Sequence, residues 1–429
     1  MSFEYFKNHW EISGCLHLES PLHIGAQRSE YSTASVDVLL QYNADRGQYL
    51  PFIPGSSLKG VLRSTARRIL TTHGANSNMV DALFGSQNAA AKVRIRDSPG
   101  KSGLLLDERL HAATTYKKSG KFYEVAVQDK WVKPKTRLID QENISQAVEF
   151  EFHIEVENAR AEEIALLLRT LDEFRYKRAH IGGGVSRGHG FVSLSETRLS
   201  CTLLDGIKIK REEMRESDVR PLLRLDTNSR VQQPFNSFEA YAGAGSDALE
   251  GCIVCEAEAV CDTDFYLKGK EEPMVLGAGR PVIPGSTIKG FLRHLCCRTP
   301  VISGKPPRVM GYDESKLKWD VETVDRVFGT TDQRSKVLIS EAFSDEIPPG
   351  DHIPKGSRLR CWIVFDNMEE QWIRTIIDKL RETNRLTGKT AARGRGPTGS
   401  PRLNRVHFEF RRAWKYHLQD PALDVTSML

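Results

Sequence analysis

An internal repeat is the feature of this sequence that most constrains its fold. Residues 51–63 read PFIPGSSLKGVLR, and residues 281–293 read PVIPGSTIKGFLR, which places the second copy 281 − 51 = 230 positions downstream. A repeat of this length indicates that one structural unit has been duplicated.

Two more matched segments follow in the same order. DALFGSQNAAAKVRIRDS begins at residue 81 and corresponds to DRVFGTTDQRSKVLISEAF from residue 325. HIGGGVSRGHGFVSL from residue 180 corresponds to TGKTAARGRGPTGSPRL from residue 387. Because the order is kept, we predict two homologous domains, at residues 1–200 and 252–429. The polar segment 201–251 is predicted to be either a linker with some structure or an arm that packs on a neighbouring domain.

The composition is that of an ordinary globular chain, with 39% hydrophobic and 27% charged residues and a formal charge of +5. No apolar run reaches the roughly 20 residues that cross a bilayer, so no membrane contact is expected. The eight cysteines form no paired framework, which favours reduced thiols and a cytoplasmic location. Cys252 and Cys255 form a lone C-x-x-C that reads as a buried strand rather than a metal site.

The first repeated motif predicts a basic helix that follows a strand. Ser56 or Ser57 can cap this helix, and its cations recur at i, i+4 and i+8 on one face. A helix start with free amides and a nearby lysine suits a phosphate, although a solvated basic face is the alternative. The predicted RNA-binding residues of the two copies are Ser56, Ser57, Lys59, Arg63, Arg67, Ser286, Thr287, Lys289 and Arg293.

The glycine-rich segments follow helices and, in the first copy, precede a strand, which is the reverse of a dinucleotide-binding loop. The P-loop pattern for ATP is not met either. Glycines with interleaved cations let backbone amides approach a sugar-phosphate chain, whereas a tight structural turn is the alternative. The candidate RNA-binding residues here are Gly183, Gly184, Arg187, His189, Lys389, Arg393 and Arg395.

In combination these motifs resemble the RAMP superfamily. The match consists of the paired IPGSSLKG and IPGSTIKG, the LFGS and VFGT segments that each precede a strand ending in Asp97 or Glu341, and GGGVSRGHG. The similarity is greatest to the backbone subunits of type III CRISPR effector complexes, and two fused copies look most like type III-D. The resemblance implies an α+β protein with two tandem RRM-like, ferredoxin-like domains that hold guide RNA.

The resemblance further implies a thumb hairpin at about residues 122–147, reduced in the second domain, where only a short segment joins Ser344 to Leu359. The expected contact residues of the thumb in the first domain are Phe122, Lys130, Trp131, Lys133 and Lys135. It also implies cleavage of target RNA by an aspartate that precedes the first motif, with a divalent metal, expected to be Mg²⁺. Asp37 matches that position as catalytic residue and metal ligand, and the second half has no aspartate there.

The sequence leaves three alternative functions for this protein. The first is a guide-RNA-binding subunit whose first domain is an endoribonuclease on target RNA. The second is a non-catalytic RNA-binding scaffold of the same complex. The third, a nuclease that processes guide RNA, requires a histidine-centred site such as His23, and the tandem architecture argues against it. The partners implied are guide RNA, target RNA, other RAMP subunits and the large polymerase-like subunit.

Overall fold

The structure is a computed structural model. It describes residues 6–24, 38–75, 78–101, 106–115, 135–144, 148–205, 208–223, 248–249, 251–266, 280–296, 321–329, 334–348, 350, 352–383, 404–417 and 420–429. For residues 106–115 and 135–143 it describes the backbone, and the side chains of 204, 205, 294, 321–323 and 325 are not described.

Strands and helices alternate along both halves. The strands are β1 (Asn8–Leu18), β2 (Leu40–Asn43), β3 (Gln48–Ile53), β4 (Val93–Ile95), β5 (Ser98–Pro99), β6 (Leu106–Thr115), β7 (Lys135–Ile144), β8 (Glu149–Glu157), β9 (Val192–Asp205), β10 (Lys208–Met214), β11 (Cys252–Cys261), β12 (Val337–Ile339), β13 (Arg358–Asp366), β14 (Val406–Lys415) and β15 (Leu423–Asp424). The helices are α1 (Gly55–Thr72), α2 (Asn78–Phe84), α3 (Ala161–Arg175), α4 (Glu216–Val219), α5 (Gly285–Cys296), α6 (Val321–Phe328) and α7 (Glu370–Glu382).

The two domains have the same antiparallel sheet. The first has the strand order β10-β9-β1-β8-β4, and the second has the equivalent order β15-β14-β11-β13-β12. Within each, the sequence strand, helix, strand, strand, helix, strand folds with the first strand between the fourth and the third, which is the ferredoxin-like arrangement. The central strands β1 and β11 even share an irregularity against their fourth-strand partners. The predicted α+β fold with two ferredoxin-like domains is confirmed.

Residue alternation explains these strands. In β8, Phe150, Phe152, Ile154 and Val156 are buried, whereas the glutamates between them face outward. The helices α1 and α3 pack on the apolar side, with Leu58, Leu62 and Ile69 of α1 in the same core. The second domain has its own core, formed among others by Ile288 and Ile363.

The two domains pack directly against each other. Phe191 of the first domain lies in one cluster with Val254, Trp362 and Trp414 of the second. Polar contacts also cross the junction, and two of them involve nearly buried side chains of the second domain. The carboxylate of Glu19 accepts a 2.8 Å hydrogen bond from the indole of Trp362, and Arg68 pairs with Asp366 at 2.6 Å.

The first domain extends beyond the predicted boundary at residue 200. Strand β9 continues to Asp205, and β10 pairs with it as the edge of the sheet. The next turn also packs on the domain, because Arg220 forms an ion pair with Asp172 of α3. Residues 201–205 and 208–223 are therefore part of the first domain and not of the linker or arm predicted at 201–251.

Strands β6 and β7 form a long antiparallel hairpin in the first domain, with Leu106 opposite Ile144 and Thr115 opposite Lys135. Of the thumb predicted at residues 122–147, residues 135–144 form β7, whereas residues 122–134 and 145–147 lie outside the described part of the chain. In the second domain, the described residues between Phe343 and Arg358 form turns and a bridge from Ile353 to Phe265 instead. Within the part of the chain that is described, no helix is both long and apolar enough to span a membrane.

Candidate nucleic-acid interface

The two copies of the repeated motif occupy equivalent surroundings. Gly55 starts α1 against the edge strand β4, where a Cβ atom would lie 2.1 Å from the main-chain oxygen of Ile95. Gly285 starts α5 against β12, where a Cβ atom would lie 2.0 Å from the oxygen of Ile339. Only glycine permits so close an approach, which explains why both copies have this residue at the helix start.

The start of α1 already binds a carboxylate. The amide of Gly55 donates a 2.8 Å hydrogen bond to Asp97, and the amide of Ser57 donates to the oxygen of Pro54 at 2.9 Å. Pro54 is the N-cap, so the capping role expected of Ser56 or Ser57 is wrong. Asp97 supplies the negative charge that a helix dipole favours at this end, so the amide of Gly55 is not free to bind a phosphate.

Three cations lie along one face of α1, as the spacing predicted. Lys59 donates to the oxygen of Val93 at 3.2 Å, whereas Arg63 and Arg67 both pair with Asp81, at 3.0 and 3.4 Å. Burial, and then the charge of Arg63, lower the pKa of Lys59. Because one carboxylate serves two arginines, the face retains a net positive charge.

These arginines line an open groove of about 960 Å³, with residues 84–91 opposite them. The Nε of Arg63 is buried and has no hydrogen-bond partner among the described residues. In the second domain the equivalent Arg293 donates to the oxygen of Gly329 at 2.9 Å. The segment after α2 or α6 therefore faces the basic helix in both copies.

The first glycine-rich loop is built on left-handed backbone. Gly182, Gly184, Gly188 and Gly190 have φ angles between 74° and 94°. The loop is held beside the end of β1, since the amide of Gly183 donates to His23 at 2.8 Å. Gly183 is exposed and Arg187 is half-buried, so both can meet a ligand.

His189 is placed differently from our expectation. It is 1% exposed, and a Cβ atom on Gly184 would lie 2.8 Å from its Nδ1. The side chain therefore packs inside the loop, and the direct RNA contact predicted for it is wrong. The loop needs this residue as internal support.

The contact between this loop and the second domain has no signal in the sequence. A Cβ atom on Gly188 would lie 2.3 Å from the oxygen of Ile339 and 3.3 Å from the Cα of Gly285. Lys289 of α5 donates a 3.0 Å hydrogen bond to the oxygen of Ser186. The first domain's loop thus lies against the helix start of the second domain.

The junction also changes the acidity of Lys289. Burial, and then the charge of Arg293, lower its pKa to about 7. Ser286 beside it is half-buried, whereas Thr287 is only 8% exposed and its amide donates to Pro284 at 2.9 Å. Ser286 is therefore more accessible to a ligand than Thr287.

Several predicted site residues lie outside the described part of the chain. These are Asp37, Phe122, Lys130, Trp131, Lys133, Lys389, Arg393 and Arg395. Lys135 begins β7, where the backbone alone is described. The roles of these residues stay predictions.

Cys252 and Cys255 lie three residues apart on β11 and join different apolar clusters, one at the domain junction and one in the core of the second domain. Burial raises the pKa of each thiol to about 12. Because the two side chains point to opposite faces of a strand, they do not chelate one ion, as we expected from the strand-like sequence.

The comparison with protein families decides the classification. The model of the RAMP superfamily matches residues 15–193 and 269–392, which is one match in each domain. This chain belongs to the RAMP superfamily. RAMP proteins work in multi-subunit CRISPR complexes that bind RNA, so membership suggests a CRISPR-associated RNA-binding subunit. No curated protein matches the sequence significantly.

Proposed function

We propose that this RAMP protein holds the guide RNA of a type III CRISPR effector complex, and that its first domain cleaves target RNA paired with the guide. The observation that carries the proposal is the contact between Lys289 and Ser186. It joins the glycine loop of one domain to the helix start of the next, which supports a single path across the two proposed RNA-binding surfaces.

The charges along this surface suit a polyanionic strand. The first domain contributes Lys59, Arg63 and Arg67, and the junction adds Arg187 beside Lys289 and Arg293. Contacts of this kind neutralise phosphates and carry no base information, so we expect binding that depends on salt and little on sequence. Base pairing is then left to the guide itself.

The described residues on either side of segment 25–37, which contains Asp37, support the catalytic part. The two described ends of segment 25–37 lie together, because the amide of Leu39 donates to Ile24 at 3.3 Å. His23, next to Ile24, accepts the hydrogen bond from Gly183 of the glycine loop. In the sequence, Asp37 is two residues from Leu39, whose contact with Ile24 lies next to His23 and the glycine loop.

An aspartate beside a bound strand can orient a 2′-hydroxyl for attack on the next phosphate. Its carboxylate oxygens are also ligands that Mg²⁺ prefers, and the ion would neutralise charge at that phosphate. The second domain has no aspartate at the matching position, where Glu271 and Glu272 are nearest. We therefore propose that only the first domain cleaves.

The assembly follows from the same proposal. Other RAMP subunits would continue the guide-RNA path at either end, together with the large polymerase-like subunit, and two fused copies favour the type III-D arrangement. Mass spectrometry of the native assembly with its RNA would identify these neighbours.

Binding of single-stranded RNA in a salt titration tests the first part. We expect Lys59→Ala and Lys289→Ala each to weaken binding about tenfold, equal to ~1.4 kcal/mol. Each should also reduce the salt slope by about 0.7 per lost phosphate contact. Lys208→Ala on the exposed edge strand β10 is the matched control. Binding that is insensitive to salt would contradict the proposal.

Target cleavage by the reconstituted complex tests the second part. Asp37→Ala should abolish the cut beneath the first domain while guide binding stays normal. Cleavage that persists at that site would support the scaffold function instead. Loss of guide-precursor cleavage in His23→Ala, with target cleavage intact, would support the processing nuclease.

A further inference from the structure

The outer face of the first domain's sheet holds a group of side chains that RNA binding does not explain. Cys15 and His17 lie two residues apart on β1, so they project from the same face of the strand. On the neighbouring strand β8, Glu149 is opposite His17 and Glu151 is opposite Cys15. Four potential ligands are therefore placed by two paired strands.

Three of these side chains converge. The ligand atoms of Cys15, His17 and Glu149 all lie within 4.8 Å of one another, and no other three side chains of His, Cys, Asp or Glu in the described residues do so. The Nδ1 of His17 is 2.9 Å from Glu149. Small rotations of these side chains would bring the three atoms to the separations found around a tetrahedral ion.

The imidazole is already oriented for such a role. The Nε2 of His17 lies 2.5 Å from the hydroxyl of Ser195 on β9, which leaves Nδ1 directed toward the other ligands. A histidine that binds a metal through one ring nitrogen usually donates a hydrogen bond from the N–H of the other. The hydrogen-bond partner fixes both the tautomer and the orientation of the ring. Ser195 therefore acts as a positioning residue.

A cation is already held at this position. The ammonium of Lys101 forms a hydrogen bond with the side chain of Cys15 and lies 3.9 Å from Glu149 and 3.5 Å from Glu151. The backbone of Lys101 is fixed by its own hydrogen bond to Glu149 at 2.8 Å, but its side chain is partly exposed. The lysine tip can thus move into solvent and leave its place to an ion.

The chemistry of the ligands selects the ion. One thiolate, one imidazole and one carboxylate suit Zn²⁺, whereas Mg²⁺ and Ca²⁺ require oxygen ligands. We propose that Cys15, His17 and Glu149 bind a zinc ion, with Glu151 or water as the fourth ligand. The site uses none of the residues assigned above to RNA binding or cleavage, and it does not depend on the proposed function.

The place of the site in the fold indicates what the ion would do. Glu149 is the first residue of β8, and Ile144, which ends the β6–β7 hairpin, forms a bridge with Leu22 just beyond β1. An ion shared by β1 and β8 would fix the sheet at the base of this hairpin. Binding of the ion to the folded state alone would also raise the unfolding temperature.

Titration of the full-length protein with Co²⁺, without RNA, tests the proposal. We expect the visible bands of a tetrahedral ion and a thiolate-to-cobalt charge-transfer band, both displaced by Zn²⁺. Cys15→Ser should remove the charge-transfer band. Glu149→Gln, at a side chain that is 43% exposed and therefore tolerant of change, should weaken binding at least ~10-fold, while Lys101→Gln should strengthen it.

His153→Gln is the matched control, because His153 pairs with Glu155 at 3.3 Å on the same strand β8. This variant should bind Co²⁺ like the wild type. The proposal is overturned if the wild type shows no charge-transfer band, or if the band and affinity are unchanged in both Cys15→Ser and Glu149→Gln. Either result would leave His17, Glu149 and Lys101 as an ordinary ion-pair network.

Discussion

The amino group of Lys289 donates a 3.0 Å hydrogen bond to the main-chain oxygen of Ser186, across the junction of the two domains. Its counterpart in the first domain, Lys59, donates to Val93 within its own domain. One duplicated lysine thus supports a strand edge in the first copy and the neighbouring glycine loop in the second. We propose that this difference lets the two repeated domains present one RNA-binding surface.

The lowered pKa of Lys289 predicts that RNA binding depends on pH. With a pKa of about 7, the side chain loses its charge as the pH rises from 6 to 8, and a phosphate favours the charged form. RNA should therefore bind more weakly at pH 8 than at pH 6. Lys289→Arg, which stays charged, should remove most of this dependence. An identical pH profile in both proteins would show that Lys289 does not contact RNA.

Two glycines of α5 should respond in opposite ways to alanine. Gly285→Ala places a Cβ atom 2.0 Å from the oxygen of Ile339, so we expect a loss of about 1–3 kcal/mol in unfolding free energy. Gly290→Ala meets no atom within 4 Å and should stabilise the helix by ~0.4–1 kcal/mol. Denaturant unfolding measures both. Equal effects would mean that the helix start is not pressed against β12.

Two partly buried histidines predict sensitivity to acid. Burial is the main reason that the pKa of His73 falls to about 4 and that of His180 to about 3. Below pH 6.5 these histidines bind protons in the unfolded chain but stay neutral in the folded chain. The free energy of unfolding should therefore fall as the pH drops from about 6.5 to 4. Unfolding should show a shallower pH slope in His73→Gln. His73 also forms a 2.7 Å hydrogen bond with Tyr416, and its loss changes stability at every pH. The unfolding free energy of the variant is therefore compared with its own value at pH 8.

The pair of Arg68 and Asp366 should couple the two domains. Both side chains are nearly buried, 12% and 13% exposed, and their atoms lie 2.6 Å apart. Removal of one partner leaves the other charge in a poorly hydrated place, so Asp366→Asn should cost about 2–4 kcal/mol. The double variant Arg68→Met/Asp366→Asn, compared with Arg68→Met and Asp366→Asn alone, should recover part of the loss. Strictly additive effects in this cycle would rule out a direct coupling.

Much of the fold could be predicted because the evidence for it is local. The repeated IPGS motifs mark where a strand passes into a helix, and the alternation in β8 shows which face is buried. The contact of Lys289 with Ser186 had no such signal, since the two residues are 103 positions apart and neither pattern depends on the other. The cap from Asp97 and the burial of His189 were missed for the same reason: each depends on packing between elements, not on spacing within one.

The most direct test of the account is photocrosslinking of a single guide RNA from the two equivalent helix starts. Ser56 is exposed and Ser286 is half-buried, so each can carry a photoreactive residue. We predict that both crosslink to one RNA molecule, at nucleotides separated by a constant distance along the strand. Crosslinks from only one position, or to two separate RNA molecules, would contradict a continuous path across the domain junction.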